Sequence, residues 1–235
     1  MTIGAAALEA GSGNNMRFQN VRRELIKFGK RIARERLVVG PGGNISARMS
    51  GVMLVKASGI AFEDATEQDF IPVEIESGKV LEKRRRPSSE LPMHLACYRV
   101  RDDVRAVVHT HSPFATGVAS AGATLRPMSP DFVAVIGTEV PTLPFVIPCG
   151  DELADVVSEA IAKANAALLT NHGVVAVGAN LREAFLRAML IEEAAVALVA
   201  GTIMGKVRFL SDEEAARIRG LEKVQYRVEV LKKGK

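Results

Sequence analysis

Val107-Val108-His109-Thr110-His111-Ser112-Pro113 decides how this chain is read. A β-branched lead-in and a proline stop predict a strand that ends at the two histidines. Residues i and i+2 of a strand share a face, so His109 and His111 aim two imidazoles at one point. A third histidine, His172, lies far downstream in Leu168-Leu169-Thr170-Asn171-His172-Gly173. Three neutral imidazoles with an open fourth position form the ligand set of a catalytic zinc rather than a closed structural one. Spacing alone leaves a second reading open, in which paired histidines at a strand end are polar edge residues.

The totals set the frame. A chain of 235 residues forms one large domain or at most two. Apolar residues make up 48% and charged residues 25%, which suits a soluble globular enzyme with a sizeable core. No apolar run approaches the ~20 residues of a membrane span. Met1 to Met16 has no basic start followed by an apolar centre, so no secretory signal is expected. Cys97 and Cys149 stand in no ligand spacing, and a cytoplasmic chain with reduced thiols is expected. The net charge of +4 can favour a phosphorylated substrate but is too mild for nucleic acid. Lys83-Arg84-Arg85-Arg86 reads as a solvated loop or a subunit rim.

Residues 1–15 are rich in Gly, Ala and Asn and read as a flexible leader, with 16–235 forming the catalytic domain. Val21, Leu25, Phe28 and Ile32 predict a first helix from about Arg17 to Arg36. Gly40-Pro41-Gly42-Gly43-Asn44 breaks it. Strands at 45–49 and 52–56 join through Ser50-Gly51, and strands at 70–75 and 79–82 through Ser77-Gly78. A helix follows Pro87-Ser88-Ser89, and a short one runs from Pro113 to Ala121. The stretch 126–148 is punctuated by prolines around the apolar run 132–136. Asp151 is expected to cap an amphipathic helix reaching Ala164. Short strands at 167–169 and 174–177 flank Asn171-His172-Gly173. Asn180 caps a long helix ending near Gly205, and Ser211 to Glu214 fits a capping box. The segment 225–231 reads as a strand. Hairpin signals first and alternating elements later predict one α/β domain with a mixed sheet.

Three further clusters consist of residues able to hold an anion. Gly42-Gly43-Asn44 offers closely approachable N–H groups and an amide. Ser58-Gly59 offers a hydroxyl and an N–H. Ser88-Ser89 precedes a helix, where orphan N–H groups and the dipole favour phosphate. Each is also ordinary turn chemistry. Glu90 follows the serines; burial beside a metal would raise its pKa toward that of a general base. His94 lies one turn on, on the same helix face, where a supporting role suits it.

Taken together, Gly43-Asn44-x-Ser46, Ser58-Gly59, Ser88-Ser89-Glu90, His109-x-His111 and Asn171-His172-Gly173 follow the order and approximate spacing of the class II sugar-phosphate aldolase and epimerase family. The resemblance spans about residues 17 to 231 and implies a single three-layer α/β/α domain with a mixed, largely antiparallel central sheet. It implies zinc, one per subunit, on His109, His111 and His172, with Glu90 as acid/base and displaceable ligand. It implies a phosphate pocket of Asn44, Ser58, Gly59, Ser88 and Ser89. Epimerases of the family typically carry Asp where this chain has Glu90, which favours aldol chemistry on a ketose 1-phosphate such as L-fuculose 1-phosphate. Tyr226 falls near a family tyrosine that serves the aldehyde oxygen from a neighbouring subunit, so a homotetramer with sites between subunits is implied. A second family tyrosine is absent, with Pro130 and Asp131 at its place, which leaves the aldehyde partner open.

The chemistry agrees with the resemblance. Cleaving a carbon–carbon bond beside a ketone leaves an enediolate, and a divalent ion acts as Lewis acid for that charge. Dihydroxyacetone phosphate and a short aldehyde such as lactaldehyde are the expected products. Rival readings are a Schiff-base aldolase using Lys56, a methylthioribulose-1-phosphate dehydratase, a pentulose-phosphate 4-epimerase, a decarboxylase, and a non-catalytic interaction module.

Overall fold

The computed structural model describes residues 11–82 and 84–233. β1 (Asn44–Met49) and β2 (Val52–Lys56) form a hairpin turned by Ser50, whose φ of 53° is left-handed. β3 (Phe70–Glu74) pairs with β2 and β4 (Ala106–Thr110) with β1, both antiparallel. β5 (Thr142–Leu143), β6 (Ala166–Leu169) and β7 (Gly173–Gly178) complete one sheet in the order β3-β2-β1-β4-β7-β6-β5. Among the described residues its single parallel pair is β5 with β6. The helices are α1 (Gly11–Arg34), α2 (Leu91–Val100), α3 (Pro113–Ser120), α4 (Pro130–Val135), α5 (Asp151–Ile161), α6 (Leu181–Met204), α7 (Asp212–Gly220) and α8 (Glu222–Lys232).

β4 is central and buried on both faces, which is why it reads as a continuous apolar run. Ala106 and Val108 pack into one core with α1, α3, α4 and α6, whereas Val107 packs into a second core with α2 and α5. Layers on both faces of a mixed, largely antiparallel sheet are the predicted three-layer α/β/α arrangement. Leu25, Phe28 and Ile32 bring α1 onto the first core. Asn180 caps α6 through Glu183 N, and Ser211 with Glu214 forms the capping box of α7, as their spacing predicts.

The structure departs from the sequence reading at several elements. α1 begins at Gly11, inside the stretch read as a leader; residues 1–10 lie outside the described residues. Residues 79–82 do pair with the outer edge of β3, as expected, through the Val73–Val80 bridge, Glu74 N donating to Lys79 O and Leu81 N to Pro72 O, but the pairing is too short to form a strand of its own. Gly150 rather than Asp151 is the N-cap of α5, with Asp151 in its first turn. The segment 225–231 is helical, not a strand. Tyr226, Val228 and Val230 alternate like a strand, yet Val224, Val228 and Leu231 also match a helical stripe, and Val224 and Leu231 are the buried ones. Asn180 Nδ2 donates to the carbonyls of Leu231 and Lys232, closing the end of α8. Among the described residues, no helix is long and apolar enough to cross a membrane.

Candidate metal centre

β4 delivers His109 at its penultimate position, and His111 follows just past the strand end. His172 comes from the tight turn joining β6 to β7, where Asn171 takes a left-handed φ of 56°. Gly173 makes the approach possible, since a Cβ there would sit 2.0 Å from the Thr110 carbonyl oxygen. The three rings converge, with centroids 4.8 Å (His109–His172), 5.0 Å (His109–His111) and 5.4 Å (His111–His172) apart.

Glu90, the N-cap residue of α2, enters from the second core side. Its carboxylate lies 3.1 Å from His109 Nε2 and 3.0 Å from His172 Nε2. One ligand atom from each of Glu90, His109, His111 and His172 lies within 4.8 Å of every other. Zinc bonds of about 2.0–2.1 Å allow two ligands of one ion to lie at most about 4.2 Å apart, so a closure of a few tenths of an ångström brings such atoms onto one shared ion. His109 Nε2, Glu90 Oε1 and His172 Nδ1 are buried without a hydrogen-bond partner. Buried polar atoms rarely stay unpaired, so this donor set fits a divalent cation.

His109 Nδ1 donates to the Val174 carbonyl at 3.0 Å, which leaves Nε2 as the lone-pair side facing Glu90. Burial, then the neighbouring His109 and His172, push His111 down to about 4, so it stands as a neutral imidazole at pH 7. Burial works to raise the Glu90 carboxyl. The His109 ring beside it, the contact with His172 and the hydrogen bond from Asn44 overcome that and hold it below the usual carboxylate range. The expectation that burial raises Glu90 is thus reversed by its partners. The carboxyl thus stands ionised rather than neutral in this arrangement.

The anion-holding segments are partly assembled. Ser58 N donates to Arg86 O at 3.0 Å and Ser88 N to Lys56 O at 2.9 Å, with Ala57 and Pro87 bridged between them. Ser58-Gly59 and Ser88-Ser89 therefore run side by side. The Ser58 and Ser88 amides are spent in this pairing, leaving their hydroxyls and the Gly59 and Ser89 amides. Ser88 Oγ accepts from Glu90 N at 3.2 Å. Asn44 does not turn toward this cradle. It lies opposite His109 across β1 and β4, and its amide spans His94 and Glu90. Burial, then His109, pushes His94 down to about 3 and keeps it neutral. Lys56 Nζ is enclosed by the carbonyls of Pro41 at 3.0 Å and Ile60 at 2.5 Å, so it braces the Gly42-Gly43 loop against the Ser58-Gly59 turn. Nothing opens that amine to a carbonyl substrate.

Tyr226 is not brought to the cluster within its own chain. It is 68% exposed on α8, and no hydrogen bond or ion pair among the described residues ties it to the histidines. Its neighbour Arg227 pairs with Asp131 at 3.2 Å, so the place of the absent family tyrosine lies beside the segment that carries Tyr226. Three supporting residues went unassigned in the sequence reading. Ser46 and Tyr98 line the Asn44–His94 contact. Glu192 accepts from Phe114 N and Ala115 N at 3.0 and 2.8 Å, pinning the start of α3 just after His111. The sequence signal for Tyr98 was its spacing, since Glu90, His94 and Tyr98 form an i, i+4, i+8 polar stripe on an otherwise apolar helix.

The comparisons with known proteins agree with this geometry. Residues 23–199 match the family described as the class II aldolase and adducin N-terminal domain. A 5-deoxy-D-ribulose 1-phosphate aldolase from Bacillus thuringiensis is 36% identical over 201 residues, covering 85% of this chain and 93% of that protein. The L-fuculose phosphate aldolase of Escherichia coli K12 is 33% identical over 195 residues, covering 83% of this chain and 90% of that protein. A solved L-fuculose 1-phosphate aldolase superposes with a TM-score of 0.80 at 33% identity, covering 92% of this chain and 98% of that one. The chain belongs to the class II aldolase family, whose aldolases are metal-dependent carbon–carbon lyases.

Proposed function

We propose that this chain reversibly cleaves a ketose 1-phosphate to dihydroxyacetone phosphate and a short aldehyde, with zinc held by His109, His111 and His172. One observation carries the reading: a buried Glu90 carboxyl set against two members of a convergent histidine triad. When bound, the ion supplies the positive charge that offsets the negative charge developing on the substrate oxygens. Glu90 takes the C3 proton of dihydroxyacetone phosphate in the synthetic direction and returns it after cleavage. The base must be ionised before it can accept that proton, and the Glu90 carboxylate, held below its usual range, meets that condition at neutral pH.

The Ser58-Gly59 and Ser88-Ser89 segments hold the phosphate through hydroxyls and free amides, fixing the reacting end of the substrate. The substrates named for two relatives, 5-deoxyribulose 1-phosphate and fuculose 1-phosphate, both end in a methyl group. The aldehyde fragments would be acetaldehyde and lactaldehyde. Tyr226 serves the aldehyde oxygen across a subunit boundary, in a cytoplasmic homotetramer. Its exposure, and its lack of ties to its own cluster, support that placement.

Incubation of the protein with dihydroxyacetone phosphate and a panel of short aldehydes, with and without chelator, tests the reading by NMR of the products. Chelator-sensitive formation of a ketose 1-phosphate is expected. A keto product formed from a ketose phosphate without any aldehyde fragment would assign dehydration instead.

A further inference from the structure

Four buried side chains lead in an unbroken series to Glu90. The Tyr98 hydroxyl lies 2.7 Å from Ser46 Oγ, and Ser46 Oγ lies 2.7 Å from His94 Nδ1. His94 Nε2 meets Asn44 Oδ1, and Asn44 Nδ2 donates to Glu90 Oε2 at 2.7 Å. Asn44 is 4% exposed, Ser46 and His94 0%, and Tyr98 1%, so water does not compete for these bonds.

The direction of every bond follows from its two ends. Asn44 turns its NH2 to a Glu90 carboxyl oxygen, which accepts. The Asn44 oxygen then faces His94, and an amide oxygen only accepts, so His94 carries its hydrogen on Nε2. His94 Nδ1 in turn accepts from the Ser46 hydroxyl, which itself accepts from Tyr98. All the donors point toward Glu90.

The series exists because two repeats match. Four residues of helix rise about 6 Å, and two residues of strand about 6.6 Å. Glu90, His94 and Tyr98 on α2 therefore interleave with Asn44 and Ser46 on β1. Asn44 bridges the first pair and Ser46 the second.

We propose that Asn44, His94, Ser46 and Tyr98 are positioning residues acting through Glu90, and that Asn44 serves the base rather than the phosphate. Without the His94 Nε2–H, the Asn44 amide is free to rotate and can set its oxygen against the carboxylate. His94 is thus the key that keeps an N–H on Glu90 Oε2 and fixes the other oxygen toward the reacting carbon. The inference rests on the aldolase reading.

Two readouts on the full-length protein test it. The first is the His94 tautomer by ¹⁵N-edited NMR, read without substrate. An Nε2–H form is expected, and an Nδ1–H form overturns the donor order. The second is solvent exchange of the C3 proton of dihydroxyacetone phosphate, measured alongside inhibition by inorganic phosphate. Asn44→Ala and His94→Leu should slow exchange and lower kcat by about 10–100-fold, with KM and phosphate inhibition held within about twofold. Tyr98→Phe, which removes only a hydroxyl, should show the same pattern at a smaller size, and it decides the matter if His94→Leu does not fold. Loss of phosphate inhibition in step with exchange would assign Asn44 to the anion and overturn the proposal, as would exchange that no variant alters. If the wild type exchanges nothing, the aldolase reading alone fails, because the tautomer still reports on the Glu90 arrangement.

Discussion

Gly173 and Thr110 touch where β7 passes the end of β4, so closely that any side chain on Gly173 would strike the Thr110 carbonyl at 2.0 Å. That contact sets His172 against His109 and His111. The glycine after the third histidine therefore fixes where His172 sits as well as turning the chain. Gly173→Ala should destabilise the fold by about 1–3 kcal/mol, as overpacked sites do. It should also weaken metal binding more than its stability loss explains, because the turn carrying His172 must move. Metal affinity by competition with a chelating dye, alongside chemical denaturation, checks this. Wild-type affinity in a folded variant would show that the close approach does not govern the site.

Glu90→Gln should retain metal and lose proton exchange at C3 of dihydroxyacetone phosphate by about 10²–10⁴-fold, the usual worth of a general base. Glutamine keeps the shape but cannot take a proton. Zinc content by atomic emission and exchange by proton NMR separate the two functions. Normal exchange in the variant would remove Glu90 from the role.

Much of this was legible in the residues. The strand carrying His109, the capping residues Asn180 and Ser211, and the two cores follow from local pattern, because burial and caps act over a few residues. What remained hidden was pairing between distant segments. Asn44 looked like an anion ligand beside two glycines, and only the β1–β4 register shows it opposite His109 and facing Glu90. Glu90 looked like a base raised by burial, yet two imidazoles and an amide contributed from elsewhere reverse the shift. α8 read as a strand because its alternating valines satisfy both periods, and the choice was made by what Val224 and Leu231 pack against.

A site built from His109, His111 and His172 should couple metal loading to stability. Binding to the native state alone adds about 2.7 kcal/mol at a free-ion concentration 100 times Kd. For a domain of this size that raises Tm by roughly 5–10 °C. His109→Ala or His172→Ala should abolish most of the shift, and a chelator should reverse it in the wild type together with activity. Borohydride with dihydroxyacetone phosphate should trap no adduct, since Lys56 is enclosed by two carbonyls. A trapped adduct at Lys56 would replace metal chemistry with Schiff-base chemistry.

Lys56 also gives the metal-free fold a pH signature in the alkaline range. Burial pushes its ammonium down to about 8 from 10.5, with Asp69 and Glu63 opposing the change. Below pH 8 the lysine is protonated in both native and unfolded chains, and the full cost of burying its charge is present. Between pH 8 and 10.5 the unfolded chain binds more protons than the native one, so stability rises with pH across that window. The gain is on the order of 3 kcal/mol, because one proton's difference in binding is worth about 1.4 kcal/mol for each pH step of one. Lys56→Met removes the titrating group and should flatten that rise. It should also loosen the Gly42-Gly43 loop from the Ser58-Gly59 turn, because the bonds to Pro41 and Ile60 go with it. Urea denaturation of the metal-free protein at pH 7.5 and pH 10 measures the difference. Equal pH slopes for wild type and variant would show that Lys56 keeps an ordinary pKa in the folded chain.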